Sequence, residues 1–586
     1  METASATEVP ADEDVVVALS LAPRDMPGLE AYAKAVNDPH SAYYHQFLTP
    51  DEVGRRFGPA QADVDASVAF FRSHGIRVNE VAKNNFVVFA EGRADTVAKT
   101  FKTRLGYVRR EDGTKFRTNL TELQMPASLV PKVVGVAGID SSIRHVFRAH
   151  KFLKAAMKPG GDPTTTTITP ALYRSAFGNT GYAKGFYGQG VNIAIANWDG
   201  YRLANIPYWT SANNLPVPSG GAGSNIAVVK VGTGTSTDGQ GAAEGEGDLD
   251  LQAVLMAAPL ANIYDYDDST NDTEAPISTL SKISTDNIAD IVSESYGWET
   301  SATNSAGTQT TYFGDFYVQA YNLHVSMAAQ GITYMAASGD TGTRTFVAPG
   351  TKNGVCVAYP DIDPNVLIVG GSVPTIDETT GSLVNETNWG LEENGARWGG
   401  GTGGFDPYDS PANGFTFNVA PSYQTTNIAS VTSTYNFRLV PDISNVAAGG
   451  NGLTAAAIYI YFGGTGSQEG LLGTSLASPA TAGSLGEIMS QVFAGVTPNA
   501  NRSNVRFGDL HSFLYANGSD PSLMQDITSG IGIGDLPQTS IDPTPDAGWD
   551  FDTGWGSPIY SGFMGYTTTG SSISTLQPNT ALAVQT

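Results

Sequence analysis

The chain has 586 residues, 41% of them hydrophobic and only 15% charged, too apolar for a disordered protein and long enough for more than one packed core. Its net charge of -25 is the sum of about +2 over residues 1–158 and about -27 over the rest, and a larger part so poor in Lys and Arg excludes nucleic acid as a partner. No apolar run is long enough to predict a membrane span, and the single Cys356, in the strand-like "GVCVAYP", excludes an intramolecular disulfide or a cysteine-built zinc site.

The amino-terminal "METASATEVPADED" has neither a basic n-region nor an apolar core, so no signal peptide is expected in it. From there to residue 150, strand-like "VVVALSLA", "FVVFAEG" and "VVGVAGID" alternate with helix-like "MPGLEAYAKAVND", "ADVDASVAFFRSHG" and "ADTVAKTFKTRLG". That order predicts a small α+β domain with helices on one face of an antiparallel sheet. Residues 151–169, "KFLKAAMKPGGDPTTTTIT", read as an exposed linker of the kind where proteolytic cutting concentrates. Between 170 and 560, "GVNIAIANW", "NIAVVKV", "ADIVSESYG", "GITYMAASGD" and "NVLIVGG" are separated by helix-length segments. This predicts a mainly parallel sheet covered on both faces. Ligands of such sheets sit beyond the carboxyl ends of the strands, which singles out the loops after "VSESYG" and "ASGD". Residues 561–586 are polar and read as a peripheral tail.

"GTSLASPATAG" places Ser475 on a tight turn running into a helix start, which exposes a hydroxyl and aims backbone N–H groups at whatever it attacks. Pro479 is expected in an early helical turn, where a missing N–H costs least. A serine nucleophile needs a base, yet five of the seven histidines precede the linker, and His324 and His511 lie in no glycine-rich turn. The base is therefore sought among carboxylates, and "EGEGDLDLQAVLMAAP" offers four at a helix start. Residues four apart share a helix face, so Glu246 pairs with Asp250 or Glu244 with Asp248. Two carboxyls held together titrate as one unit, which lets one keep a proton while the other accepts one. Acids there also complement the helix macrodipole, so this stretch alone leaves both readings open.

Taken together, "EGDLDLQ", "ASGDTG", "GTSLASP", "AYPDIDPNVLIVGG", "RLVPDISN" and "GWDFDTGWGSP" resemble the sedolisin family, or serine-carboxyl peptidases, which look like subtilisins with the His replaced by Glu. "SAYYHQFLTPDEVGRRFGP" resembles the family's propeptide signature. The resemblance implies a subtilisin-like α/β catalytic domain over 170–560, preceded by a ferredoxin-like α+β prodomain over 1–150. It selects Glu246 as general base and Asp250 as the residue that orients it, leaving Glu244 and Asp248 as capping or surface charges. It makes Ser475 the nucleophile and Asp340 the oxyanion-hole residue, with an acidic optimum, since a carboxyl donates a hydrogen bond only when protonated.

The same resemblance implies one structural calcium ion, held by the carboxylates of Asp526 and Asp550 and the carbonyls of Ile527, Asp546 and Gly548, although the family usually has Gly where Asp546 stands. Some kumamolisin-like members extend the acid network with a Glu and a Trp where this chain has Asn197 and Tyr296, so that extension does not carry over. The expected protein is a secreted, monomeric endopeptidase made as a zymogen, with polypeptide substrates and its own propeptide as intramolecular inhibitor. Charge complementarity between the near-neutral prodomain and the acidic remainder is expected to loosen in acid. A tripeptidyl peptidase is the alternative, and a silent calcium-stabilised binding protein is the reading from another class.

Overall fold

The computed structural model describes residues 6–109, 115–141, 145–147, 150–151, 168–231, 245–268, 274–298, 301–303, 309–312, 314–342, 357–393, 396–407, 411, 415–449, 458–534 and 543–563. Cys356, Glu244, most of the 151–169 linker and most of the 561–586 tail lie outside these.

The amino-terminal domain opens with β1 (Asp14–Leu21), then α1 (Met26–Val36), α2 (Pro50–Arg56), α3 (Gln61–Ser73), β2 (Arg77–Val81), β3 (Val87–Arg93), α4 (Ala94–Thr100) and β4 (Val133–Ala137). These four strands form an antiparallel sheet in the order β2-β3-β1-β4, and Thr7–Glu8, Leu105–Arg109 and Lys115–Asn119 form a second, smaller sheet. Alternation decides which side chains go where. Val15, Val17 and Leu19 pack with Phe71 of α3 and Val97 of α4 on one face. Ala18 and Val87, pointing the other way, join Leu29 and Ala33 of α1 in a core shared with the next domain. The helix α2 starts on a capping box, in which Thr49 accepts from Glu52 N and Glu52 accepts from Thr49 N.

Two short strands follow, β5 (His145–Phe147) and β6 (His150–Lys151). The larger domain then supplies β7 (Asn192–Asn197), β8 (Ile226–Lys230), α5 (Glu246–Val254), β9 (Asn262–Asp267), α6 (Glu274–Asp286), β10 (Ile291–Glu294), β11 (Tyr296–Trp298) and α7 (Gly314–Ala329). After these come β12 (Thr333–Ala337), β13 (Leu367–Ile376), β14 (Leu383–Asn388), β15 (Ile443–Val446), β16 (Ser467–Leu472) and α8 (Thr474–Val492). The main sheet runs β8-β9-β7-β10-β12-β13-β14, with β15 also paired to β13. All its pairings are parallel except β13 with β14. Ile193 and Ile195 of β7 face a core built with Leu249 and Val254 of α5 and Leu476 and Ala480 of α8. Their neighbours Ala194 and Ala196 face Ile277 and Leu280 of α6 and Leu323 of α7. Burying each isoleucine contributes about 2 kcal/mol, so the two-sided pattern fixes which helices flank which face. Helices α5 and α8 meet almost backbone to backbone, since a Cβ on Gly483 would lie 2.4 Å from the Val254 carbonyl oxygen.

The first domain sits on α6 and α7. Ser20 Oγ donates to Gln319 Oε1 at 2.7 Å, Asn37 Nδ2 to the Ala328 carbonyl at 3.0 Å, and Leu48 N to the Ala329 carbonyl at 3.0 Å. Apart from Glu30, which accepts from Tyr321 Oη, these bonds join uncharged groups. This described contact thus rests on apolar burial and neutral hydrogen bonds, whereas the charge asymmetry predicts ion pairs.

Candidate active site

Helix α5 begins at Glu246, and both Glu246 and Asp250 are buried, 3% and 0% exposed. Ser475 lies in the first turn of α8 and is fully buried, while Asp340 follows β12 at the carboxyl end of the sheet. The loop after β10 supplies Ser295, whose hydroxyl donates to Asp250 Oδ1 at 2.7 Å and whose carbonyl accepts from Ser475 Oγ at 3.5 Å. The four residues expected from sequence therefore converge beyond the strand ends, on two helices and one loop. Neither buried histidine of this domain serves Ser475: His324 is bonded to Asp363 and Tyr359, and His511 to Asp442 and Asp509.

Burial pushes the Glu246 carboxyl well above the usual carboxylate range, and facing Asp250, Asp340 and Asp199 adds to this. The adjacent Ser475 hydroxyl offsets part of that rise. Burial likewise raises Asp250, with Asp265 and Asp199 reinforcing it and the Ser295 hydroxyl opposing it. The pair thus holds a proton more firmly than free carboxyls would, and it can take a proton from a serine hydroxyl only while one of the two is ionised.

Asp340 is anchored from the helix that carries Ser475, its Oδ1 accepting from Thr474 N at 2.9 Å and from Thr474 Oγ1 at 2.8 Å. The preceding Gly473 has φ 140°, a conformation that favours glycine and turns β16 sharply into α8. Pro479 sits deeper in α8 than expected, at its sixth residue. Its missing N–H leaves the Ser475 carbonyl without the i+4 donor, and Ser295 Oγ reaches that carbonyl at 3.3 Å instead.

The two short strands β5 and β6 flank this site. β5 pairs antiparallel with β11, Phe147 opposite Tyr296, immediately after Ser295. β6 pairs antiparallel with the end of β16, His150 opposite Leu472, three residues before Ser475.

The model for the pro-kumamolisin activation domain matches residues 2–142, and that for the subtilase family matches residues 139–556. Sedolisin from Pseudomonas sp. (strain 101) is 31% identical over 575 residues, which cover 94% of this chain and 86% of that protein. The chain belongs to the sedolisin family. Xanthomonalisin from Xanthomonas sp. (strain T-22) is 27% identical over 596 residues, covering 95% of this chain and 66% of that protein. A structure of Pseudomonas sedolisin, a serine-carboxyl proteinase complexed with two molecules of pseudo-iodotyrostatin, aligns with a TM-score of 0.52 at 26% identity, covering 70% of this chain and 99% of that one. The protein is a sedolisin-family serine-type peptidase that carries its activation domain in the same chain. Among the described residues no helix is long and apolar enough to cross a membrane.

In this sedolisin-family peptidase, Asn197 and Tyr296 are bonded to each other, Tyr296 Oη donating to Asn197 Oδ1 at 2.8 Å. Asp248, expected at the surface or as a cap, is fully buried instead. The loop after β7 folds over it, so that Asp248 Oδ1 accepts from Arg202 N at 3.2 Å and Asn205 Nδ2 at 2.8 Å. Ser295 and Thr474 escaped the sequence reading because their roles depend on partners from distant segments; the only local signals were the "SES" loop position and the Gly-Thr before Ser475.

The two segments expected to hold calcium do meet: Gly548 N donates to Asp526 Oδ2 at 3.0 Å, and Asp546 N to Asp550 Oδ2 at 3.0 Å. Asp550 Oδ1 accepts from Asp552 N and Thr553 N at 2.8 and 2.7 Å. Among the described residues, the carbonyls of Ile527, Asp546 and Gly548 accept no hydrogen bond, which leaves three oxygens suited to a hard cation. The Asp546 side chain turns back to accept from Ala547 N at 2.8 Å, away from its own carbonyl. No group of three or more His, Cys, Asp or Glu side chains that could hold a metal occurs among the described residues, so any ion here depends on backbone oxygens.

Proposed function

We propose that this peptidase is a secreted, acid-acting endopeptidase, made as a self-processing zymogen, that hydrolyses peptide bonds through Ser475, Glu246 and Asp250. The observation that carries the reading is the meeting of two features at one place. A buried acid pair adjoins the Ser475 hydroxyl, and the chain's own strands β5 and β6 lie along β11 and β16 on either side of it.

The reaction is acyl transfer. Ser475 Oγ attacks the peptide carbonyl carbon while its proton passes to Glu246, which Asp250 orients and relieves by sharing the proton. The oxyanion that forms is met by the Ser475 backbone N–H and by the protonated Asp340 carboxyl, which Thr474 fixes at Oδ1. The C–N bond then breaks, Glu246 returns the proton to the leaving amine, and water repeats the sequence on the acyl-enzyme. A carboxyl in the oxyanion hole works only while protonated, so acid is the working condition. The prodomain, docked on α6 and α7, acts as an intramolecular inhibitor that keeps the cleft covered until the chain joining it to the larger domain is cut.

A calcium ion would be held by the carboxylates of Asp526 and Asp550 and the carbonyls of Ile527, Asp546 and Gly548. It would tie two carboxyl-terminal segments together, with no part in the acyl transfer.

A digest of an unbiased peptide library between about pH 3 and 5 tests the function, with Ser475→Ala as control and mass spectrometry as readout. Internal cuts by the parent alone support it. Release of amino-terminal tripeptides makes the protein a tripeptidyl peptidase, and absence of cuts overturns the catalytic reading.

A further inference from the structure

Helix α5 lacks an N-cap of its own, since Gly245 precedes Glu246 and has no side chain to accept the first free N–H groups. The acceptor comes from elsewhere: Asp199 Oδ2, on the loop after β7, takes the Glu246 N–H at 3.1 Å. We propose that Asp199 is a positioning residue for peptide hydrolysis, holding the amino end of α5, and with it the Glu246 carboxyl, beside Ser475. The proposal rests on Glu246 being the base.

Three further contacts hold Asp199 in that place. Its own N–H donates to Asn197 Oδ1 at 3.0 Å, the same oxygen that Tyr296 Oη holds from the strand after Ser295. Gly245 N donates to the Gly200 carbonyl at 3.2 Å, so the loop docks on the helix start by backbone as well. A Cβ at position 245 would lie 2.6 Å from Asp199 Oδ2, so glycine there leaves room for the carboxylate. Asn197 and Tyr296, the two residues at which this chain departs from some relatives, thus acquire a purpose: they set a third acid where it can cap the helix bearing the pair.

The geometry has an electrostatic consequence. The acids facing Glu246 are Asp250 from its own helix, Asp340 from the loop after β12 and Asp199 from the loop after β7; Asp265 of β9 faces Asp250, and Tyr296 faces all but Asp340 and Asp265. A negative Asp199 makes the pair hold its proton more firmly, while the helix dipole favours that charge at the amino end.

Full-length Asp199→Asn and Asp199→Ala, matured in acid, separate the two effects. Asn keeps an oxygen to accept from Glu246 N but no charge; Ala keeps neither. Asp199→Ala is expected to lose on the order of tenfold to hundredfold in kcat, with KM changed by less than about twofold. Asp199→Asn is expected to retain more kcat than Ala and to shift its pH profile toward acid. Parental kcat and pH profile in both variants overturn the proposal. Equal losses in both, with an unmoved pH profile and a lowered melting temperature, also overturn it by reducing Asp199 to a structural residue. If the Ala zymogen does not fold, the isosteric Asn variant decides on its pH profile alone. Glu246→Gln checks the foundation separately: full activity in that variant refutes the base assignment whatever Asp199 does.

Discussion

Ser295 donates its single hydroxyl proton to Asp250 Oδ1 at 2.7 Å, with the Ser475 carbonyl as a longer second acceptor at 3.3 Å, so one small side chain bridges the acid pair and the helix that carries Ser475. Replacing it by alanine frees Asp250 to drift and leaves the Ser475 carbonyl, already deprived of a donor by Pro479, without a partner. A hydrogen bond to a charged group contributes about 1.5–3 kcal/mol. Ser295→Ala is therefore expected to lower kcat by about tenfold or more, with KM little changed. Steady-state kinetics on a quenched peptide in acid measures this, and an unchanged kcat would show that Asp250 needs no brace.

Asp340 provides a test of protonation itself. Asp340→Ala is expected to cost on the order of 10² to 10³ in kcat, the usual scale for an oxyanion donor. Asp340→Asn donates through an amide that needs no proton, so it should keep more activity and extend the pH profile upward. If Asn and Ala variants lost activity equally at every pH, the donor assignment would fail.

The stability of the zymogen should fall as pH rises from acid. Burial pushes Asp265 up to about 8, Glu386 up to about 7 and Glu487 up to about 7, from ordinary values of 3.8 and 4.5. A carboxyl raised on folding favours the native state fully below its unfolded value, and that advantage is lost as pH climbs through the folded value. For His511, burial opposes charging, but Asp509 and Asp442 overcome it and raise the ring from 6.5 to about 9, so its contribution is complete below 6.5 and gone above 9. Asp442, held below the usual range by Arg438 against the cost of burial, acts the other way and is lost only in strong acid. Thermal melts of the Ser475→Ala zymogen should therefore show a higher Tm near pH 4 than near pH 8, the carboxyls dominating between 3.8 and 8 and His511 between 6.5 and 9. A higher Tm at the alkaline end contradicts this.

The catalytic candidates were legible because each sits in a short motif with its own geometry. Glu246 and Asp250 are four apart on one helix, and Ser475 follows a turn that only glycine makes easily. The sheet was legible for the same reason, since the β7 run "NIAIAN" is apolar on both faces and has to lie between two layers of helices. What stayed hidden was joined across distance. Asp199 lies 47 positions before the N–H it caps, and Asp248 looked exposed until the loop carrying Arg202 and Asn205 covered it. Pro479 was placed a turn too early because its cost is met by Ser295, 180 residues upstream of the carbonyl it rescues.

The pairings of β5 and β6 bear on where maturation starts. With Phe147 opposite Tyr296 and His150 opposite Leu472, β5 pairs with the strand that follows Ser295 and β6 with the strand that precedes Ser475. The first cut is expected between β5 and β6, upstream of the 151–169 linker, and amino-terminal sequencing of early products in acid should find it. A first cut beyond residue 151 would mean that these strands leave the cleft before processing.

Calcium, if held as proposed, should raise Tm. A chelator is expected to lower the melting temperature of the parent, with little effect on an Asp526→Asn, Asp550→Asn double variant. Identical chelator responses in the two proteins would remove calcium from this carboxyl-terminal fold.

The contact of Gly483 with the Val254 carbonyl oxygen bears on how the site ages and evolves. At Gly483 and Val254 the helices α5 and α8 touch through main chain, so at that point no side-chain rotamer can absorb an error in their spacing. That contact fixes how closely the helix bearing Glu246 and Asp250 approaches the helix bearing Ser475. A single methyl at 483 would wedge the two helices apart, so this buried glycine, which bears no reactive atom, is a place where a peptidase could lose its chemistry while keeping its fold.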